Sequence, residues 1–465
     1  MRPVLTPKQM RVLDTEATTA GTPIEILIGR AGAAVARAAK RMMGGLYGRT
    51  VVVITGKGNN GADGRVTARL LADQGVRVHV IDAEHMPLRL PVSDLIIDAA
   101  FGTGFRGDWS PPATKGVPVL AVDIPSGIDG LTGLAAPDTW QATRTVTFVA
   151  LKPGLLLGAG RALCGEVELV DIGINLGMGN VDINEVERSD VSQWVPQRPF
   201  DSHKWKAALY AVAGSSGMMG AANLCSASAM RAGAGIVHVA SPGIVSDRST
   251  STEIVRRALP ALGWSHEVLD DLSRFKAIVI GPGLGRDEGT VSETRRIIAG
   301  AHIPMVIDGD GLFAVAWGGE GARDIVRSRA AGTVLTPHDG EYTTLLGYAP
   351  SHDRITSARR LASDTNCVCL LKGTTTVVAE PSGEVLMVAN GDQRLATAGT
   401  GDVLAGIIGA LLAQGVEPFH AAASGAWIHG YAASLFTANE GLIASDLVDL
   451  IPLALSHMRH VGVRD

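Results

Sequence analysis

The chain has 465 residues, of which 46% are hydrophobic and 19% charged, and its formal net charge is −5. That length exceeds one usual hydrophobic core, so two domains are expected, and 57 glycines with only 4% aromatics suit the many tight strand–helix turns of an α/β protein. The mildly acidic balance gives no reason to expect nucleic acid or an anionic membrane as partner, and no run of about 18 apolar residues is present to span a bilayer.

Thr6-Pro7-Lys8-Gln9 opens a first helix: Thr6 can cap it, Pro7 suits its first position and Gln9 can close a capping box. Thr22-Pro23-Ile24-Glu25 repeats the device, and the alanine-rich helix that follows stops at Gly44-Gly45. A first strand over 50–55 is an uninterrupted β-branched run, suited to the middle of a parallel sheet. It empties into Gly56-Lys57-Gly58-Asn59-Asn60-Gly61-Ala62-Asp63-Gly64, followed by an expected helix over 65–74 and a strand over 76–81. Ligands of open α/β sheets bind at such strand ends, although the spacing is not that of a dinucleotide fingerprint. Three more strand ends converge on the same rim. They carry Asp98-Ala99-Ala100-Phe101-Gly102-Thr103-Gly104-Phe105-Arg106-Gly107, Asp123-Ile124-Pro125-Ser126-Gly127 and Leu151-Lys152-Pro153-Gly154. Asp98, Asp123, Asn60 and Ser126 offer clustered oxygens of the kind a hard cation needs, and each acid taken singly is also a common turn or cap residue.

The motifs Gly58–Gly64, Asp98–Gly104 and Val122–Gly127 together resemble the NAD(P)H-hydrate epimerase family over roughly residues 1–190. Ala62 departs from the family's usual glycine without removing a chemical group. The resemblance implies a Rossmann-like three-layer sandwich with a potassium ion held by Asn60, Asp98 and Ser126. It implies a hydrated nicotinamide nucleotide bound by Asn59, Asn60, Gly61, Ala62, Asp63, Gly102, Thr103, Gly104, Phe105, Arg106, Gly107, Asp108 and Asp123, with Asp123 catalytic.

The stretch 177–198 is weakly patterned and reads as a linker, giving domains over 1–195 and 200–465. Beyond it, strands over 207–213, 236–240, 277–280, 304–307, 333–335 and 368–371 end in polar or glycine-rich loops. These include Gly214–Ala221, Gly281–Gly285, Asp308–Gly311, Thr336–Glu341 and Lys372–Thr376. Cys367 and Cys369 lie in the last strand and read as core thiols. With Cys164 and Cys225 they form no C-x-x-C. A reducing compartment follows, and an N-terminal region without a signal peptide's apolar core makes the cytoplasm the expected location. Ala396-Thr397-Ala398-Gly399-Thr400-Gly401-Asp402 then runs directly into an apolar helix. A helix N-terminus of this kind suits a phosphate, and Asp402 beside it can accept a proton from a hydroxyl. A capped helix after a loop reads the same way in isolation. Asp308 and Asp310 are either structural or hold magnesium through water.

In this order the loops resemble the NAD(P)H-hydrate dehydratase family of the ribokinase-like fold, over about residues 200–460, so a second three-layer sandwich is expected. The resemblance implies that Lys372, Gly373, Thr374, Thr375, Thr376 and Gly401 hold the adenine nucleotide. It implies that Ala221, Gly285, His338 and Asp402 face the hydrate, with Asp402 catalytic. Thr375 departs from a usual glycine and Asp339 from a usual proline. The expected activity is repair of hydrated NADH and NADPH, by epimerisation of the R and S forms and ADP-dependent dehydration of the S form. The expected partners are small molecules, with magnesium beside the nucleotide, and the expected assembly is a homo-oligomer. The alternative is a small-alcohol kinase fused to a nucleotide-binding module, since the ribokinase-like fold and anion loop serve both chemistries.

Overall fold

The computed structural model describes residues 1–177, 181–244, 252–316 and 320–459. The chain divides into two compact units, one over Arg2–Ile183 and one over Asn184–Asp465 together with Met1. The stretch read as a linker is not featureless. It contains the helix Arg188–Trp194, whose Asp190 and Val191 are buried.

The N-terminal unit is organised on a six-stranded sheet. Its order is Arg77–Asp82, Thr50–Thr55, Leu95–Ala99, Val119–Val122, Arg144–Phe148 and Glu166–Val170, with every pair parallel. The first two helices form where the caps place them. Pro7–Thr19 has Thr6 as N-cap in a complete capping box, and Ile24–Met43 ends on left-handed Gly44. The alanines of the second helix bury its inner face against the sheet.

One element differs from expectation and shapes the site. The helix begins at Asn59, not at 65, so Asn59–Gly64 forms its opening turns rather than a loop. Close approach explains the glycines there. A Cβ at Gly61 would lie 1.9 Å from the Gly56 carbonyl oxygen, so a side chain cannot be accommodated. The helix N-terminus is thereby pressed onto the end of Thr50–Thr55, where its first side chains face the rim.

The C-terminal unit holds a larger sheet. Its parallel part runs Val255–Leu259, Ile236–Pro242, Ala208–Val212, Ala277–Ile280, Met305–Ile307, Thr333–Leu335 and Val368–Leu371. Two antiparallel strands, Thr376–Ala379 and Val385–Val388, extend it. Lys372–Thr375 is therefore the turn of a hairpin. The helices Met219–Arg231, Thr400–Ala413 and Pro418–Ser434 pack into one apolar core with this sheet, and Val403–Ala413 is buried on every face. A helix apolar all round needs no amphipathic stripe, because its neighbours enclose it.

Candidate active sites

In the N-terminal unit the strand ends enclose a cavity of about 590 Å³. Asn59, Asn60, Asp63, Gly102–Arg106 and Asp123 line it, and Gly61, Ala62, Gly107 and Asp108 do not. Among the residues outside the expected set that also face it are Asp14 from the first helix, and Lys152. Lys152 is only 1% exposed. Its ammonium donates to Asp123 Oδ1, to Thr147 Oγ1 at 2.8 Å and to the Phe148 carbonyl at 3.1 Å. Asp123 itself has φ +68°, a left-handed backbone that is uncommon outside glycine.

The carboxyls of this cavity are electrostatically unequal. Burial, then the charges of Asp123 and Asp14, push Asp63 up to about 8, with Lys152 opposing. Burial and the Asp123 charge also raise Asp14. At neutral pH Asp63 therefore retains a proton beside Asp123 and Lys152, which form an ion pair. A carboxyl held protonated in this way can serve as an acid near neutral pH.

Beneath the cavity, Asp98 is buried, and burial raises its pKa against opposing hydrogen bonds. Ser126 binds it twice, from its backbone N–H at 2.8 Å and its hydroxyl at 2.6 Å. Ser126 Oγ also accepts from the Phe101 N–H at 2.8 Å. Asn60 is buried, and neither atom of its carboxamide has a hydrogen-bond partner. A buried carboxamide seldom goes unmatched, so Asn60 can offer an oxygen to a cation, and Asp98 and Ser126 add oxygens that already bond each other.

In the C-terminal unit the corresponding rim gathers Asp308, Asp310, Glu341, Lys372, Gly401 and Asp402. Left-handed Gly399 (φ +90°) caps the helix Thr400–Ala413 and puts Asp402 in its first turn. Lys372 Nζ lies 3.0 Å from Asp308 Oδ1 and 3.5 Å from Glu341 Oε2. Gly401 adjoins this pair: a Cβ there would stand 3.6 Å from Lys372 Nζ and 4.0 Å from Asp308 Oδ2. Burial first, then the Asp308 charge, lift Asp402 to about 7, with Lys372 opposing. A carboxylate so poised can take up and release a proton near neutral pH.

The remaining expected residues divide. Gly285 joins this rim, because its N–H donates to Asp310 Oδ2 at 2.9 Å, and Arg286 pairs with the other oxygen of Asp310. Ala221 meets the same loop system, since a Cβ at Gly283 would lie 2.9 Å from its own. His338 is the N-cap of the helix Asp339–Leu346: its Nδ1 accepts from the Gly340 and Glu341 N–H groups, and its side chain is 59% exposed. In the hairpin turn, Gly373 and Thr374 are exposed, Thr376 is half-buried and Thr375 is buried. Thr375 keeps φ out of the left-handed region, so glycine is not required there. Asp339 pairs with Arg354, which also donates to the Lys372 carbonyl at 2.6 Å. His429 lies beneath the glycine loop, where burial pushes it down to about 4 against a hydrogen bond with the Thr400 backbone.

Magnesium fits less well as a resident ion. Thr336 and Lys372 both hold Asp308 Oδ1, with the Lys372 ammonium beside it, while Gly285 and Arg286 take the two oxygens of Asp310. Among the described residues no group of three or more His, Cys, Asp or Glu side chains is arranged to hold a metal.

Comparison with known proteins decides the family. The family model described as NAD(P)H-hydrate dehydratase matches residues 209–453, and that of the YjeF-related protein N-terminus matches 24–90 and 81–154. The bifunctional NAD(P)H-hydrate repair enzyme Nnr of Moorella thermoacetica is 34% identical, over 94% of this chain and 93% of that protein. The chain belongs to the bifunctional NAD(P)H-hydrate repair enzyme family. The Mycobacterium leprae member is also 34% identical, over 96% of this chain and 97% of its own. Among solved structures, a ribokinase-like superfamily protein from Enterococcus faecalis V583 matches with a TM-score of 0.52 at 21% identity. It covers 61% of this chain and 98% of that one, which supports the ribokinase-like fold.

Proposed function

We propose that this family member repairs hydrated NADH and NADPH in two independent sites. The N-terminal unit interconverts the R and S epimers, and the C-terminal unit dehydrates the S form while converting ADP to AMP and phosphate. The observation that carries this reading occurs in both units: a carboxylate at a glycine-lined rim has a lysine close by, Asp123 with Lys152 and Asp402 with Lys372. The family relationship supplies the substrate class.

In the dehydratase site, Asp402 takes the proton of the C6 hydroxyl, and the oxygen attacks the terminal phosphorus of ADP. The bridging P–O bond breaks and AMP departs. Backbone amides at Gly399–Gly401 and the Lys372 ammonium stabilise the charge on the transferred phosphoryl group. The ring nitrogen lone pair then expels phosphate from C6, and loss of a proton from C5 restores the dihydronicotinamide. Ala221, Gly285 and His338 border the hydrate, and Lys372–Thr376 with Gly401 border the nucleotide. Magnesium would arrive with the nucleotide phosphates.

In the epimerase site, Asp123 takes the C6 hydroxyl proton, the C6–N1 bond breaks with its electron pair going to N1, and Asp63 delivers a proton there. Rotation of the resulting aldehyde and ring closure by the reverse transfers give the other epimer. Asn60, Asp98 and Ser126 would hold a potassium ion, which would fix two strand ends and offset the buried Asp98 charge. The four cysteines are free and buried, and no helix among the described residues is long and apolar enough to cross a membrane. The free thiols support a reducing compartment such as the cytoplasm.

Separately prepared epimers incubated with ADP test this reading. Formation of NADH, AMP and free phosphate from the S epimer supports it. A stable phosphorylated product would instead identify a kinase.

A further inference from the structure

Lys152 is the most enclosed cation of the N-terminal unit, and no proton transfer of the epimerisation is assigned to it. It N-caps the short helix Pro153–Leu156, just beyond the strand Arg144–Phe148. Its three N–H donors meet three acceptors: Asp123 Oδ1, Thr147 Oγ1 and the Phe148 carbonyl. Thr147 in turn donates to the same Asp123 oxygen at 3.0 Å. Among the described residues every hydrogen bond to the Asp123 side chain therefore goes to Oδ1. The other oxygen, Oδ2, lies 3.7 Å from where a Cβ of Gly102 would stand, on the cavity side. Asp123 has a left-handed backbone at φ +68°, as does Val149, which follows the acceptor Phe148. Such strain persists only where the surroundings over-determine it.

We infer that Lys152 is the positioning residue of this site: it grips one oxygen of Asp123 and leaves the other free to meet the substrate hydroxyl. The inference rests on the reading of the N-terminal unit as an epimerase. A lysine needed only for solubility would lie at the surface, and one needed only to neutralise charge would not require three matched acceptors. The titratable groups facing Asp123 are Asp14 from the first helix, Asp63 from the helix Asn59–Ala72 and Lys152, while Arg11, Lys57, Glu84 and Arg106 line the same cavity. Removing Lys152 therefore leaves three carboxyls together and frees Asp123 to turn.

The test measures epimerisation by the full chain as kcat and KM from pH 5 to 9. Lys152→Met is expected to lose about 100-fold in kcat with KM within about threefold, and its acid limb moves up by about one pH unit. Lys152→Arg is expected to recover about tenfold over Lys152→Met. ADP-dependent dehydration of the S epimer stays at the wild-type rate in both. An Asp123→Ala control separates the two failures. If that control epimerises like wild type, the epimerase reading fails. If it is inactive while Lys152→Met keeps wild-type kcat and pH profile, Lys152 alone is wrongly assigned. Should Lys152→Met not fold, Thr147→Val decides: a loss of about tenfold in kcat at constant KM supports the inference, and unchanged kcat overturns it.

Discussion

Lys372 Nζ lies 3.0 Å from Asp308 Oδ1, and Asp308 is only 3% exposed. The pair gives the C-terminal site a fixed cation beside Gly401 and Asp402. Lys372→Met should leave the Asp308 carboxylate buried without a cation, at a cost of roughly 3 kcal/mol, because the lysine is itself partly solvated. It should also raise KM for ADP. Because Lys372 holds Asp402 down, the midpoint of dehydration against pH should move upward. Thermal unfolding and pH–rate profiles check both effects, and an unchanged midpoint would separate Lys372 from Asp402.

Asp402 should act as the base only when ionised. With its carboxyl at about 7, dehydration should rise through neutral pH and level off above it. Asp402→Asn should retain nucleotide binding and lose about 10²–10⁴-fold in turnover, since size is kept and the proton acceptor is removed. Calorimetric ADP binding alongside steady-state rates separates the two effects.

Potassium should bind in the N-terminal unit through Asn60, Asp98 and Ser126. Adding it to the full chain should raise the unfolding temperature of that unit and its epimerase rate. Asp98→Ala should abolish both responses while leaving ADP-dependent dehydration of the S epimer intact. A potassium response that survives the substitution would place the ion elsewhere.

Asp63 gives a stability signature with a definite sign. Its folded pKa of about 8 lies above its ordinary value of 3.8, so between those limits the native state holds a proton that the unfolded chain releases. Stability should therefore fall as pH rises from about 4 to 8 and be flat beyond. Asp63→Asn should remove that slope, stabilising the unit clearly at pH 8 and hardly at all at pH 4. Calorimetry of the intact chain at the two pH values measures the difference, and Asp63→Asn should also slow epimerisation.

Much of the fold is legible in the sequence. The capping box at Thr6 and the stop at Gly44 fix the first two helices, and β-branched runs mark the central strands of both sheets. The opening of the helix at Asn59 was not legible, because its glycines also serve as turn residues. Their use here is the contact of Gly61 with the Gly56 carbonyl, which only the fold creates. The hairpin after Lys372 is hidden for a related reason: Lys372–Thr376 reads as one loop, whereas the antiparallel pairing of Thr376–Ala379 makes Lys372–Thr375 a tight turn. At the sites, the motifs carried Asp123 and Asp402 but gave no sign of Asp14. Lys152 stands in a strand-end motif, yet its partners at 123 and 147 come from other positions in the chain.

The central claim is that two sites in one chain share a diffusing substrate, and racemic hydrate tests it most directly. With saturating ADP, the intact chain should consume the mixture in a single phase, because epimerisation feeds the dehydratase. The Asp123→Ala chain should show a fast phase for the S epimer, then a slow phase set by spontaneous epimerisation of the rest. Clearance of both epimers at one fast rate by Asp123→Ala would contradict the account.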